Sequence, residues 1–370
     1  MKRFLTLIKR EMKLFFGNKI APTLYLGGPI LYAVLFGVVY VKGKLNDLPI
    51  VVVDKDHTPL SRQLTEMLSE QDVLTVKAVR QEAVGLDKLF MQDSIYGVVE
   101  IPYRFEADVL QGRHPELVTY IDNTNILASG YVNRGIAATV ATLNAIEGAK
   151  TGRPAEAFHL NTFRLFNPSS NYFLYIWPAY LAIILQAVVV VVLALSFASE
   201  KENQKTGELV QLAGGSALRI LLAKGSFYWL ISIVLLLVYK LYFHLFRAIR
   251  PPDPLPVYLI SIIFILSNSF LGMVAGMAFR SQLKSLQFLM VLSTPIFIAS
   301  GFVWPYDQNG SLAVVFSLIF PFTPFVQGAR ILLMEHGSLG DIALQIKVQC
   351  AQLGVYFVVA YILCRRWMKG

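Results

Sequence analysis

The stretch FASEKENQKTGELVQLAGGSALRILLAKGSF, Phe197 to Phe227, decides how this chain is read. It interrupts two apolar runs, YLAIILQAVVVVVLAL (Tyr180–Leu195) before it and WLISIVLLLVY (Trp229–Tyr239) after it. The interruption brings in Glu200, Glu202 and Glu208, four basic residues (Lys201, Lys205, Arg219, Lys224) and the pair Gly214-Gly215. A bilayer core takes about 20 apolar residues in a helix. The flanking runs therefore predict two membrane spans, Tyr172–Ala198 and Phe227–Phe246, joined by a charged surface segment, 199–225. In it Glu208, Leu209, Leu212, Leu218, Leu221 and Leu222 fit a short helix, an interruption at Gly214-Gly215-Ser216 and a second helix leading into the third span.

Outward from there, the same test finds Pro22–Val41, Val257–Phe279, Leu286–Trp304 and Leu344–Cys364, giving six spans. The composition agrees: of 370 residues, 55% are hydrophobic and only 15% charged, against about 25% charged in a soluble domain. The net charge of +9 does not point to nucleic acid. Between Lys44 and Arg164 there are 12 Lys/Arg against 16 Asp/Glu, so the positive excess lies around the apolar segments. The first 19 residues hold six Lys/Arg. With the loop at 199–225, the pair Arg280 and Lys284, and the tail Arg365, Arg366 and Lys369, they fall on one side of a six-span chain. That side is expected to be cytoplasmic, with both termini. Lys240, Arg247 and Arg250 lie at the other face and weakly oppose this.

Two segments need separate treatment. Residues 1–19 read as an amphipathic helix in the membrane interface, with Phe4, Leu5, Ile8, Met12, Phe15 and Phe16 on one face and Lys2, Thr6, Lys9, Arg10 and Lys13 on the other. A first span, 20–42, follows. SLAVVFSLIFPFTPFVQGARILLM (Ser311–Met334) is apolar enough to span but contains Pro321, Pro324 and Arg330. A seventh span would put the Arg-Arg tail outside, so residues 307–336 are expected to form a re-entrant hairpin from the outer side.

Between the first two spans, residues 43–170 alternate. LPIVVVD, VLTVKAV, IYGVVEIP and ELVTYID read as strands. Pro59–Glu70, Gln81–Met91, Arg104–Leu110 and Ile126–Lys150 read as helices. The expected fold class is thus a polytopic α-helical membrane protein, with six transmembrane helices and an α/β extracytoplasmic domain inserted between the first and second spans; residues 171–370 form the five-span remainder. The two cysteines, Cys350 and Cys364, are too far apart to pair within one helix. His57, His114, His159, His244 and His336 stand singly, so no metal site is expected. DKDHT (Asp54–Thr58) reads as a polar turn after a strand, with no activated nucleophile beside it. No catalytic residue is assigned.

No phosphate-binding G-x-x-x-x-G-K-[ST] motif is present, and the span interiors hold no Asp or Glu with which to couple to an ion gradient. Three stretches carry a resemblance. They are SEKENQKTGELVQLAGGSALRILLAKGSFYW, with a Glu-rich loop ahead of the third span, SGFVWPYD at the end of the fifth, and FPFTPFVQGARILLM before the last. Together with the span order, these resemble the ABC-2 type transporter permease family over essentially the whole chain. Thr206-Gly207-Glu208 stands where that family has Gly-Thr-x-Glu, and Gly214-Gly215 where it commonly has a proline.

The resemblance implies the membrane subunit of an exporter in the bacterial inner membrane. ATP would be bound by a separate ATP-binding subunit, and this chain would carry no cofactor. Coupling to that subunit would fall to Glu200, Glu202, Thr206, Gly207, Glu208, Leu212 and Lys224. A second permease subunit, identical or not, would complete the pathway, and a periplasmic adaptor could dock outside. Drugs, lipids and glycoconjugates all remain open as cargo. Gln186, Asn268, Lys240, His244 and Arg247 are candidate path residues. The alternatives are interhelical hydrogen bonding for Asn268 and snorkelling for the three basic ones. Gly272 and Gly276 form a close-packing pair. A membrane sensor or scaffold with a ligand-binding outer domain is the alternative function, and the short cytoplasmic loops leave it no output domain.

Overall fold

The computed structural model describes residues 2–18, 20–39, 45–82, 95–122, 126–152, 171–245, 253–279, 281–303, 306 and 309–369. The chain divides into two compact units, Met1–Gly43 with Arg164–Gly370, and Lys44–Phe163.

In the first unit, helix α1 (Lys2–Gly17) ends at Asn18, whose side chain accepts from the Ile20 amide at 2.9 Å. That bond opens α2 (Ile20–Val39), which carries one π-helical turn, Thr23–Gly27. The wider turn places Tyr25 in the core, where its hydroxyl meets Ser232 Oγ at 2.6 Å. The buried stripe of α1 is Leu7, Glu11 and Phe15; of the expected apolar face only Phe15 is fully buried, with Phe4 and Ile8 half-buried against the core. Leu5, Met12 and Phe16 remain exposed. The helix therefore has two apolar faces, one packed on the bundle and one free for the membrane interface.

The second unit holds β1 (Leu48–Asp54), α3 (Pro59–Ser69), β2 (Leu74–Arg80), β3 (Gly97–Ile101), α4 (Phe105–Leu110), β4 (Val118–Ile121) and α5 (Ile126–Thr151). The sheet order is β2-β1-β3-β4; β1 is parallel to both neighbours, and β4 is antiparallel to β3. Central β1 is buried on both faces, as its unbroken apolar run requires. Leu60, Leu64 and Leu68 of α3 and Val132 and Ile136 of α5 pack on one of those faces. The DKDHT stretch is a turn: Asp54 accepts from the amides of Asp56 and His57, both at 3.0 Å, and from Ser61 Oγ at 2.8 Å. Thr58 and Ser61 then cap α3 reciprocally, with Pro59 in its first turn. The expected helix Gln81–Met91 falls mostly outside the described residues.

The first unit resumes with α6 (Tyr172–Glu202), α7 (Thr206–Ala213), α8 (Ala217–Leu245), α9 (Leu255–Ala278), α10 (Gln282–Ala299), α11 (Ser311–Leu318), α12 (Phe322–Leu333) and α13 (Ala343–Trp367). Among the described residues six helices are long and apolar enough to cross a membrane: α2, α6, α8, α9, α10 and α13. Helices α11 and α12 form an apolar pair bent by 89°.

The α6–α9 contact centres on two glycines. A Cβ on Gly272 would lie 2.6 Å from the Val190 carbonyl oxygen, and one on Gly276 would lie 2.4 Å from that of Ala194. The matched steps make the two helices parallel neighbours, and small residues permit this approach of backbones. At the end of α10, Gly301 adopts φ +84°, a conformation that favours glycine. Its carbonyl accepts from Arg330 of α12 at 3.4 Å. The Arg330 guanidinium lies over the rings of Tyr175 and Phe302. Two of the stretches that carry the family resemblance, SGFVWPYD and FPFTPFVQGARILLM, therefore meet through this arginine.

Candidate functional site

The charged segment between the second and third spans is mostly helix, with the short helix, the Gly214-Gly215 break and the second helix into the third span where the sequence pattern puts them. Residues 199–202 extend α6, and 217–225 already belong to α8. Only 203–216 leave the two spans, and α7 occupies most of that. Gly214 and Gly215, at φ +60° and +70°, end α7 in the left-handed region open to glycine. The helices run on through Glu200 and Lys224 because the fold neutralises both charges.

The neutralising cluster is buried. Lys224 donates to Glu11 Oε2 at 2.7 Å, Ser196 Oγ at 2.8 Å and Glu200 Oε1 at 3.1 Å, which uses all three ammonium donors. Arg10 grips Glu200 with two bonds, Nη1 to Oε1 at 2.6 Å and Nη2 to Oε2 at 2.9 Å; such bidentate pairs are among the strongest and most directional. Tyr228 donates to Glu11 Oε1 at 3.0 Å, and Ser196 donates to the same oxygen. Glu11, Glu200 and Lys224 are 2–3% exposed. Two cations face two carboxylates, so the cluster is neutral. Burial works against the Arg10 charge, but the hydrogen bond to Glu200 and the charges of Glu200, Glu208 and Glu11 outweigh it and raise its pKa.

The cluster ties α1, α6 and α8 together, and a thinner link reaches α7. Arg10 Nε lies 3.4 Å from Glu208 Oε1, and the Glu208 side chain is 57% exposed. Thr206 Oγ1 donates to the Glu200 carbonyl at 3.4 Å. Gly207 is exposed, with open space where a Cβ would be. Leu212 is half-buried, packs on the core and lines a groove of about 330 Å³ with Lys2, Arg3, Thr6, Glu208 and Gln211. Glu202 turns elsewhere: its carboxylate accepts from the Gln282 amide at 3.0 Å and from its side chain at 3.3 Å. That satisfies a free N–H at the start of α10 and places negative charge at the helix N-terminus.

The candidate coupling residues therefore separate into groups. Glu208 and Leu212 line a surface groove, Gly207 is on the surface beside it, Thr206 sits behind it, and Glu202 holds α10. Glu200 and Lys224 lie inside, and Arg10 links Glu200 to Glu208 at the surface. Glu11, Ser196 and Tyr228 carry no role in the sequence reading, and Arg10, expected on the polar interfacial face of α1, instead turns in to pair with Glu200. Glu11 carried a signal: it is the one acid in α1, and it stands four residues from both Leu7 and Phe15 on the buried stripe.

A family model described as ABC-2 family transporter protein matches residues 23–362. The chain belongs to the ABC-2 transporter family. It is 23% identical to the inner membrane transport permease YhhJ of Escherichia coli, over 96% of this chain and 95% of that one. It is 27% identical to the linearmycin resistance permease protein LnrN of Bacillus subtilis over 152 residues, 41% of this chain and 39% of LnrN. It is 21% identical to ABC transporter G family member 20 of Dictyostelium discoideum, over 90% of this chain but 46% of that protein. Proteins of this family are the membrane subunits of ABC transporters, and this chain is one such permease.

The path candidates of this ABC-2 permease lie in two places. Gln186 and Asn268 are buried. The α6–α9 register, Val190 beside Gly272 and Ala194 beside Gly276, puts them level with each other one turn earlier. Asn268 Nδ2 donates to the Phe264 carbonyl at 2.9 Å. The Oε1 of Gln186 and the Oδ1 of Asn268 have no hydrogen-bond partner among the described residues. Lys240 and His244 line a cavity at the opposite end of the bundle from the ion cluster. Arg247 lies outside the described residues.

Proposed function

We propose that this permease is the membrane half of an exporter, working as a dimer with ATP-binding subunits that dock on the groove between α7 and the start of α1. The buried cluster of Arg10, Glu11, Glu200 and Lys224 carries this reading. A docking partner that displaces α7 pulls on Glu208 and through it on Arg10. Arg10 is locked to Glu200 on α6, and Glu200 shares Lys224 of α8 with Glu11. A hydrogen-bonded ion cluster in a low-dielectric site resists being stretched, because any lost partner leaves a buried charge uncompensated. Displacement at the surface therefore moves α1, α6 and α8 together, and Glu202 carries it to the start of α10.

ATP chemistry belongs to the partner in this scheme, and this chain contributes only binding and movement. The cluster end of the bundle faces the cytoplasm, with both termini, in a bacterial inner membrane. The inserted α/β unit faces the other side and offers a surface to a periplasmic adaptor. Outward transport draws support from the relative whose name records linearmycin resistance.

The test is capture of the tagged permease from its own membranes. The wild type is expected to bring down a protein with an ATP-binding-cassette domain. The pair Glu208→Lys and Gln211→Lys, both exposed, should lose most of that protein while the permease elutes normally from size exclusion. Full retention of the partner, with unchanged ATP hydrolysis, would remove α7 from the docking site.

A further inference from the structure

The cavity at the other end of the bundle points to a ligand. It measures about 310 Å³, at the lower end of the range for small-molecule pockets. Its body is apolar, with Leu181 and Leu185 of α6, Leu236 and Phe243 of α8, and Leu333 of α12. Its polar groups come from α8 (Tyr239, Lys240 and His244) and α9 (Tyr258 and Ser261, the latter already donating to the Val257 carbonyl at 2.7 Å). Lys240 and His244 lie in the last two turns of α8, exposed at its end, and Tyr239, which directly precedes Lys240, is buried. Leu236 is nine residues before the end of α8, so the apolar lining reaches about 14 Å below it. Tyr239 is 6% exposed, and its hydroxyl has no hydrogen-bond partner among the described residues. A buried hydroxyl without a partner is costly, and a ligand acceptor would relieve it. The described lining contains no carboxylate, and the Lys240 ammonium stands 5.9 Å from the Tyr258 ring centroid.

We infer that this cavity binds a single-chain amphiphile with an anionic head group. The carboxylate or phosphate of the head takes the Lys240 ammonium and the Tyr239 hydroxyl, with the His244 imidazole beside it. The chain runs down between Leu181, Leu185 and Leu333. The volume suits one chain and not two. Charge is placed where the helices end, at head-group level, and apolar surface where the hydrocarbon lies. Calling this ligand the cargo rests on the transport reading above; the binding itself does not.

The experiment uses the full-length permease, without any ATPase, in nanodiscs of neutral phosphatidylcholine. Photoactivatable palmitate is the probe, the matching long-chain alcohol is the uncharged control, and inorganic phosphate is the competitor. Palmitate is expected to label peptides of α6 and α8 saturably, and the alcohol about tenfold less for the same occupancy, the equivalent of one well-placed charged contact. Lys240→Gln, an exposed change that leaves the fold alone, should bring palmitate labelling down to the alcohol level. Leu181→Trp should fill the cavity and abolish labelling of both. Phosphate should not compete. Equal labelling by acid and alcohol, or labelling that both variants leave unchanged, would mean ordinary lipid contact and overturn the site. Full competition by phosphate would overturn the amphiphile in favour of a bare anion. Because no ATPase is present, these failures leave the docking reading standing, and loss of the docked partner leaves this one standing.

Discussion

Lys224 shows what a buried charge does in this chain. Its three donors are all used, two of them on carboxylates. Removing it alone leaves Glu11 and Glu200 with one cation between them. Breaking a buried pair costs about 3–5 kcal/mol, whereas replacing a whole pair with neutral groups is often nearly free. Lys224→Met should therefore lower the unfolding temperature of the purified permease by several degrees. Lys224→Met with Glu11→Gln should recover part of the loss, because Arg10 and Glu200 remain a matched pair. Tryptophan fluorescence against temperature decides it, and a double variant no better than the single would show the four charges do not act as a unit. For the same reason, Glu200→Lys is a poor probe of docking: it would set three cations together inside the protein.

Asp56 makes a pH-dependent residue in the α/β unit. Partial burial opposes its charge, yet bonds from the Glu106 amide, the Thr58 hydroxyl and the Arg104 and Phe105 amides outweigh that and hold its pKa below the usual value. A depressed carboxylate stabilises the fold above its unfolded pKa, about 3.9, and loses that contribution as pH falls through the lower folded value. Asp56→Asn should therefore speed hydrogen exchange in residues 104–110 of the full-length chain at pH 7. The difference from wild type should shrink towards pH 3. A difference that is constant across this range would mean the carboxylate charge is not what matters.

At the scale of elements, glycines in helices play opposite parts. A Cβ on Gly276 would strike the Ala194 backbone at 2.4 Å, so Gly276→Ala must push α6 and α9 apart. Overpacking of this kind costs about 1–3 kcal/mol. Gly207 in α7 has open space around the same position, and replacing a helical glycine by alanine stabilises by roughly 0.5–1 kcal/mol. Gly276→Ala should melt earlier than wild type in fluorescence-detected size exclusion, and Gly207→Ala no earlier. A Gly276→Ala protein as stable as wild type would show that the α6–α9 spacing relaxes freely. The Gly207 variant has a second use, since any loss of partner binding there reports on the docking surface alone.

At the scale of the molecule, apolar surface is left on the outsides of the candidate spans, α2, α10 and α13 among them. Leu31, Leu35 and Val38 of α2, Phe288 and Val291 of α10, and Val355 and Ile362 of α13 are all exposed. In water such faces would aggregate; here they suit hydrocarbon or a second copy. The proposed orientation rests on charge. In a Cys350→Ser, Cys364→Ala background, a cysteine at Lys369 should stay unlabelled by an impermeant maleimide in spheroplasts, and one at Gln111 should react. The reverse pattern would invert the topology and with it the docking side.

The apolar segments, the strand β1 and the break at Gly214-Gly215 could be read along the chain, because each follows from neighbours in sequence: a run long enough for hydrocarbon, an alternation, a residue free to take positive φ. The ends of the spans could not. The spans run on through Lys224 and Glu200, buried, because Glu11 and Arg10 neutralise them, 213 and 190 residues away in sequence. The same distance hid the partner of Gly272 and Gly276, the meeting of Gly301 with Arg330, and the cavity beside Tyr239. A single sequence states which side chains are charged or small. Which of them share a low-dielectric site is decided only when distant helices pack, since burial and pairing are properties of the neighbours and not of the residue.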